Sequence, residues 1–291
     1  MTPLPFHRVW PTLQVMALPA HRLAYLPIAK NACTSLKTLM VELSDLPEAR
    51  RAEIARDVHR ITDDEDTGLQ LKDLSEAEAR AALTDDLFRF AVVRDPADRL
   101  ISAYVEKFVI RREQKRIATA PVIAAVRGVT APVDADFAEG IRFRAFLDYV
   151  LTAERTELDP HWRDQVDSFA DFPATHLYAL EDLDLLAADL SAHLGQPIQI
   201  GSRNRVRRAQ AAPVQGAADR MPADLPTPER LPPACFYDAE SLAAVRRRFA
   251  ADQTLYDAAR REGILRRTEP AIPRPWRKRL SLNGIRRALK E

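Results

Sequence analysis

Only two cysteines occur in the 291-residue, 32.8 kDa chain, Cys33 and Cys235, so no disulfide framework holds it and no Cys/His cluster marks a metal site. Neither sign of charge dominates. Forty-three Lys and Arg face 42 Asp and Glu, which removes the global field that would draw the protein to nucleic acid or a membrane. No run approaches the length of a bilayer span. The apolar stretch from Trp10 to Ala20 is broken by Pro11 and Pro19 and lacks a strongly basic start, so it makes a poor signal peptide. The Walker pattern G-x-x-x-x-G-K-[ST] is absent, as is any internal repeat. These absences leave a chain long enough to bury a real core, with the cytoplasm as its default compartment.

What is present alternates between strand and helix. Leu23–Pro27, Phe88–Val93 and Thr175–Leu180 read as strands, and strands alternating with helices predict a parallel sheet flanked by helices. After the first strand, Leu36, Leu39, Met40 and Leu43 share one helical face, with Thr34 or Ser35 as the expected N-cap. After the second, Asp95 caps and Pro96 takes the first helical position. Ile141–Ala153 is amphipathic, Asp182–Leu194 reads as a helix closed by Gly195, and 238–261 reads as one long helix. Residues 1–22 read as an extended lead-in, 46–75 as acidic and irregular, and 196–236 as a long Pro- and Arg-rich loop. From Gly263 to Glu291, nine Lys and Arg face two Glu. This basic tail is either a polyanion-seeking patch, able to touch a membrane surface, or a solvated end.

Two segments carry chemistry: Leu23–Lys37 and Phe88–Lys107. Each runs from an apolar strand through a polar turn into a helix, the layout in which unpaired N–H groups receive an anion. In the first turn Lys30, Asn31, Ala32, Cys33, Thr34 and Ser35 offer an ammonium, two hydroxyls and successive backbone N–H groups. In the second, Arg94 can fork onto a phosphate, Ser102 lies two turns into the helix, and Arg99 can pair with a carboxylate or a ligand. Taken singly, each also reads as an ordinary capped helix with a structural ion pair.

Together, and in this order, they resemble the 5′-phosphosulfate loop and 3′-phosphate motif of carbohydrate sulfotransferases of the chondroitin 4-O- and heparan 2-O- group. Lys30–Lys37 is similar to that group's K-x-A-C-T-[SN]-x-K, and Arg94–Tyr104 to its R-[DE]-P-x-[ED]-R-L-x-S-A-Y. His161-Trp162 with Gln165 resembles its H-W-x-x-Q element, and Leu177–Leu183 its K-Y-E-x-L turn. The resemblance covers roughly residues 23 to 260. Ala29 stands where the group usually has proline, and the Golgi members' membrane anchor and extra cysteines have no counterpart here.

The resemblance implies a P-loop-like three-layer α/β fold with a central parallel sheet, plus a helical C-terminal extension. It divides the chain into a lead-in (1–22), a sulfotransferase domain (23–262) and the tail (263–291). It implies transfer of a sulfuryl group from 3′-phosphoadenosine-5′-phosphosulfate (PAPS) to an acceptor hydroxyl, with a saccharide as the expected acceptor and no metal. Lys30, Thr34 and Ser35, with the intervening loop, would hold the 5′-phosphosulfate, and Arg94 and Ser102 the 3′-phosphate. Arg203 and Arg207, in the run Arg203–Arg208, would close over the nucleotide, or that run is a solvated loop.

In-line transfer needs positioning, charge stabilisation and a base for the acceptor proton. Histidine suits that task near neutrality. His59, between the two motifs where heparan-type relatives place a catalytic histidine, is the first candidate, and His161 the second. Lys30 would stabilise the leaving oxygen. Cys33 would have a lowered pKa at a helix start, yet the resemblance makes it part of the loop rather than a nucleophile. Arg111, Arg112, Lys115, Arg116 and Arg127 would suit an acidic acceptor, or form a charged helix face. Two other readings compete: a nucleotide-dependent kinase, and a non-catalytic nucleotide- or polyanion-binding protein of the same fold.

Overall fold

Phe88–Val93 is six consecutive buried residues and forms the central strand β3 of a four-stranded sheet in the computed structural model. The structure describes residues 12–82, 87–114, 116–169, 172, 174–201, 214, 216–225 and 231–262. Lys115, the Arg203–Arg208 run with Arg203 and Arg207, the tail 263–291 and residues 1–11 lie outside the described residues.

The sheet order is β1 (Met16–Leu18), β2 (Leu23–Leu26), β3 and β4 (His176–Ala179). β2, β3 and β4 are parallel, with Leu26 beside Ala91 and Val93 beside Ala179. β1 runs antiparallel to β2. The extended lead-in expected over 1–22 is therefore built into the sheet at residues 16–18, because Val15–Leu18 is a buried apolar run between two prolines.

The contacts divide the chain into two compact units. The first holds the sheet and has three layers. One face, with Leu23, Tyr25, Phe88, Phe90, Val92 and Tyr178, packs against Leu36, Leu39 and Met40 of α1 (Cys33–Glu42), Ile54 of α2 (Glu48–Arg56) and Val58 and Ile61 of α3 (Val58–Asp64). The other face, with Ala24, Leu26, Ala91, Val93, Leu177 and Ala179, packs against Leu71, Ala79 of α4 (Glu76–Ala82), Phe169 and Phe172. Burial on both faces explains why these strands read as apolar runs rather than alternating ones. Each large side chain so buried contributes about 1.5–3 kcal/mol.

The segment 46–75 is not irregular as expected. It folds into α2, α3 and a short 3-10 turn at Leu71–Asp73, because Ile54, Val58 and Ile61 give one buried stripe among the charges.

The second unit is helical: α5 (Pro96–Tyr104), a π-helical stretch Val105–Ile110, α6 (Arg116–Arg127), α7 (Asp134–Glu139) and α8 (Phe143–Thr152). Asp95 caps α5 as expected, accepting from the Asp98 N–H at 3.1 Å. Tyr104, Phe108, Phe143, Phe146, Trp162 and Phe236 form its aromatic core. Gly140 (φ 72°) is required there, since a Cβ would lie 2.8 Å from the Pro222 side chain and 3.0 Å from the Phe108 carbonyl.

After α9 (Leu183–Leu194), which Gly195 closes in the left-handed region, come α10 (Ala239–Arg248) and α11 (Ala250–Glu262). The single helix expected over 238–261 is thus interrupted at Phe249, which leaves helical geometry (φ −107°, ψ 34°) and buries its ring among the second unit's aromatics. Leu255, Tyr256 and Ala259 of α11 pack on the second face of the sheet. No helix of the described residues is long and apolar enough to cross a membrane.

Candidate active site

The turn between β2 and α1 is built from two non-glycine residues in left-handed conformation, Lys30 (φ 72°) and Ala32 (φ 59°). Such conformations cost of order 1–3 kcal/mol each and persist only where the surroundings over-determine them. Here Asn31 does so. Its fully buried amide donates to the Val92 carbonyl at 2.9 Å and to Gln165 Oε1 at 2.7 Å. Its backbone N–H reaches the Ile28 carbonyl at 3.2 Å. The Asn31 side-chain amide N–H groups thus fasten the loop to the sheet.

Neither Thr34 nor Ser35 caps α1. The N-cap is Ala32, which has no side-chain acceptor, so the expected cap is corrected by two or three positions. The first intrahelical bond runs from the Leu36 N–H to the Ala32 carbonyl at 3.0 Å, leaving the N–H groups of Cys33, Thr34 and Ser35 with no acceptor in the helix. An uncapped N-terminus of three donors, with partial positive charge, suits an oxyanion.

Thr34 Oγ1 instead meets His59 Nε2 at 2.9 Å, and Cys33 Sγ lies 3.7 Å from the same nitrogen. His59, which lies between the two motifs in sequence, is therefore beside the first turn, carried there by α3. Burial alone would push the Cys33 thiol up; the hydrogen bond and charge of His59, followed by Lys37 and Lys30, outweigh it and bring the thiol down to about 7. The turn is an electropositive place, and its residues fit an anionic sulfated or phosphorylated group.

The second motif starts where the sheet ends: Arg94 follows Val93 of β3, and Ser102 lies two turns into α5, both half-buried. Arg99 is no free ligand group. Buried, it donates to the Pro160 and Arg163 carbonyls at 2.7 Å each, fixing the loop that carries His161. Burial first, with repulsion from Arg94, lowers its pKa to about 10 against the opposing pull of Asp252 and Asp164. His161 Nδ1 pairs with Asp159 Oδ1 at 2.6 Å.

The basic cluster expected near the acceptor is largely engaged within the protein. Arg116 binds Asp134 at 2.6 Å, Arg127 binds Glu139 at 2.9 Å, and Arg112 donates to the Ala138 carbonyl at 2.6 Å. These guanidiniums hold α7 in place.

Several contacts of the first unit have no local signal in the sequence. Lys37, 2% exposed, reaches Asp63 Oδ1 at 2.5 Å and Thr62 Oγ1 at 3.1 Å, and Gln70 Nε2 donates to Asp63 at 3.1 Å. Lys37 closes the first motif, and Gln165 closes the H-W-x-x-Q element; those positions were the available signals.

Comparison with known proteins agrees with the resemblance carried by these motifs. The sulfotransferase family profile matches residues 14–207. Human carbohydrate sulfotransferase 14 is 29% identical over 142 residues, 49% of this chain and 35% of the relative, and the mouse protein of that name gives the same figures. The chain thus spans about a third of the length of the curated relatives it matches. No solved structure matches. On a match covering both motifs and all four strands, the chain belongs to the sulfotransferase family.

Proposed function

We propose that the protein transfers a sulfuryl group from PAPS to a saccharide hydroxyl, with His59 as the general base. One observation carries this reading: His59 Nε2 stands 2.9 Å from Thr34 Oγ1, beside an uncapped helix start that offers three N–H donors. When bound, PAPS supplies an activated sulfuryl group whose leaving side is already a phosphate. The chain's residues have separate tasks. The Cys33, Thr34 and Ser35 N–H groups, with the Thr34 and Ser35 hydroxyls, orient the anionic end. Lys30 offsets negative charge on the leaving oxygen. His59 Nε2 accepts the acceptor's hydroxyl proton, a role worth about 10²–10⁴-fold in rate. Arg94 and Ser102 are the residues that the resemblance gives to the 3′-phosphate, and the saccharide acceptor follows the names of the two relatives.

A thermal-shift panel tests the reading. The product nucleotide 3′-phosphoadenosine-5′-phosphate (PAP) raises the melting temperature, whereas ATP with Mg²⁺ leaves it unchanged, because a ligand stabilises only the state that binds it. Stabilisation by ATP–Mg²⁺ without PAP overturns the sulfotransferase in favour of a kinase. PAP binding with no transfer of labelled sulfate to any member of a saccharide library favours a non-catalytic binder.

A further inference from the structure

Asp63 follows His59 by one turn on α3, and its Oδ2 lies 4.0 Å from His59 Nδ1. Its other oxygen is clamped by the buried Lys37 ammonium and by Gln70 Nε2. Burying an ammonium is costly unless a fixed carboxylate faces it, and the pair fixes Asp63 in one orientation. Across the imidazole, Nε2 meets Thr34 Oγ1 and Cys33 Sγ. The ring therefore lies between a carboxylate on its Nδ1 side and the helix start on its Nε2 side.

We propose that Asp63, braced by Lys37 and Gln70, is the positioning residue for His59 and holds its neutral imidazole as the Nδ1–H tautomer. An unconstrained neutral imidazole favours Nε2–H, which leaves no lone pair on the nitrogen facing the site. A carboxylate at Nδ1 reverses that preference, because the partner of one ring nitrogen decides which of the two carries the proton. At 4.0 Å the carboxylate is beyond hydrogen-bond length and acts on Nδ1 through its charge, which favours a proton on that nitrogen. The inference rests on His59 as the base, but the tautomer itself is a property of the chain alone.

Proton–nitrogen correlation spectra of the full chain labelled in histidine, recorded where imidazoles are neutral, read the tautomer directly, with His59→Ala assigning the signal. The wild-type protein shows His59 as Nδ1–H. Asp63→Ala alone strands a buried Lys37 and can fail to fold, so the working variant is Lys37→Met with Asp63→Ala, which removes both charges. In it His59 changes to Nε2–H and turnover falls about 10–100-fold, while PAP affinity is retained and Asp63→Glu recovers part of the loss. A wild-type Nε2–H signal, or an Nδ1–H signal that persists in the double variant, overturns the proposal. Full turnover in His59→Ala instead removes the base reading and leaves the tautomer result to stand by itself.

Discussion

The Asn31 amide donates to Gln165 Oε1 over 2.7 Å, joining the turn between β2 and α1 to a residue 134 positions later in the chain. The same amide reaches Val92 of β3, so one side chain ties the turn to the sheet and to the end of the H-W-x-x-Q element. The left-handed residues Lys30 and Ala32 flank that anchor on both sides. The turn's shape comes from side-chain bracing where a glycine-rich loop would rely on backbone freedom.

Asn31→Ala takes the amide donor away from the Gln165 and Val92 oxygens and costs about 0.5–1.5 kcal/mol of stability for each hydrogen bond lost. The Asn31 carbonyl, itself buried without a protein partner, disappears in the same change and trims the net loss. Urea unfolding measures the effect, and an unchanged midpoint with an unchanged m-value contradicts the bracing role.

Cys33 ionises near pH 7, so its alkylation by iodoacetamide rises with pH and levels off above about 7 instead of near the ordinary thiol value of 9.0. His59→Ala removes the hydrogen bond and the charge that oppose burial, which moves the inflection upward. Bound PAP shields the thiol. An inflection that does not move in His59→Ala would show that the two side chains do not interact in solution.

Arg94 and Arg99 separate by readout. Arg94→Ala loses charge-assisted hydrogen bonds worth about 1.5–3 kcal/mol each, a roughly 10- to 150-fold weaker Kd for PAP by calorimetry. Arg99→Ala removes the two bonds that fix the His161 loop and lowers the unfolding midpoint first. Equal PAP affinity in wild type and Arg94→Ala sinks the 3′-phosphate assignment.

The sheet was legible wherever burial is continuous, as at Phe88–Val93, and α5 wherever a cap and proline agree, as at Asp95-Pro96. The helices α2 and α3 were hidden because Ile54, Val58 and Ile61 are diluted by charged neighbours, although their i, i+4, i+7 spacing was there to read. Ala32 as N-cap was not legible, since a left-handed alanine is forced by tertiary contacts and not by local preference. The bracing role of Asn31 was not legible, because Gln165, which accepts from its amide, lies far along the chain. The Arg116 and Arg127 charges read as a surface for an acidic partner because Asp134 and Glu139, which hold them, carry no motif.

The most direct measurement compares labelled-sulfate transfer by wild type and His59→Ala, on a saccharide that the wild-type protein sulfates, alongside PAP binding. The geometry of Thr34, Cys33 and His59 predicts that turnover drops about 10²–10⁴-fold while PAP binds as before. Undiminished transfer by His59→Ala would contradict it.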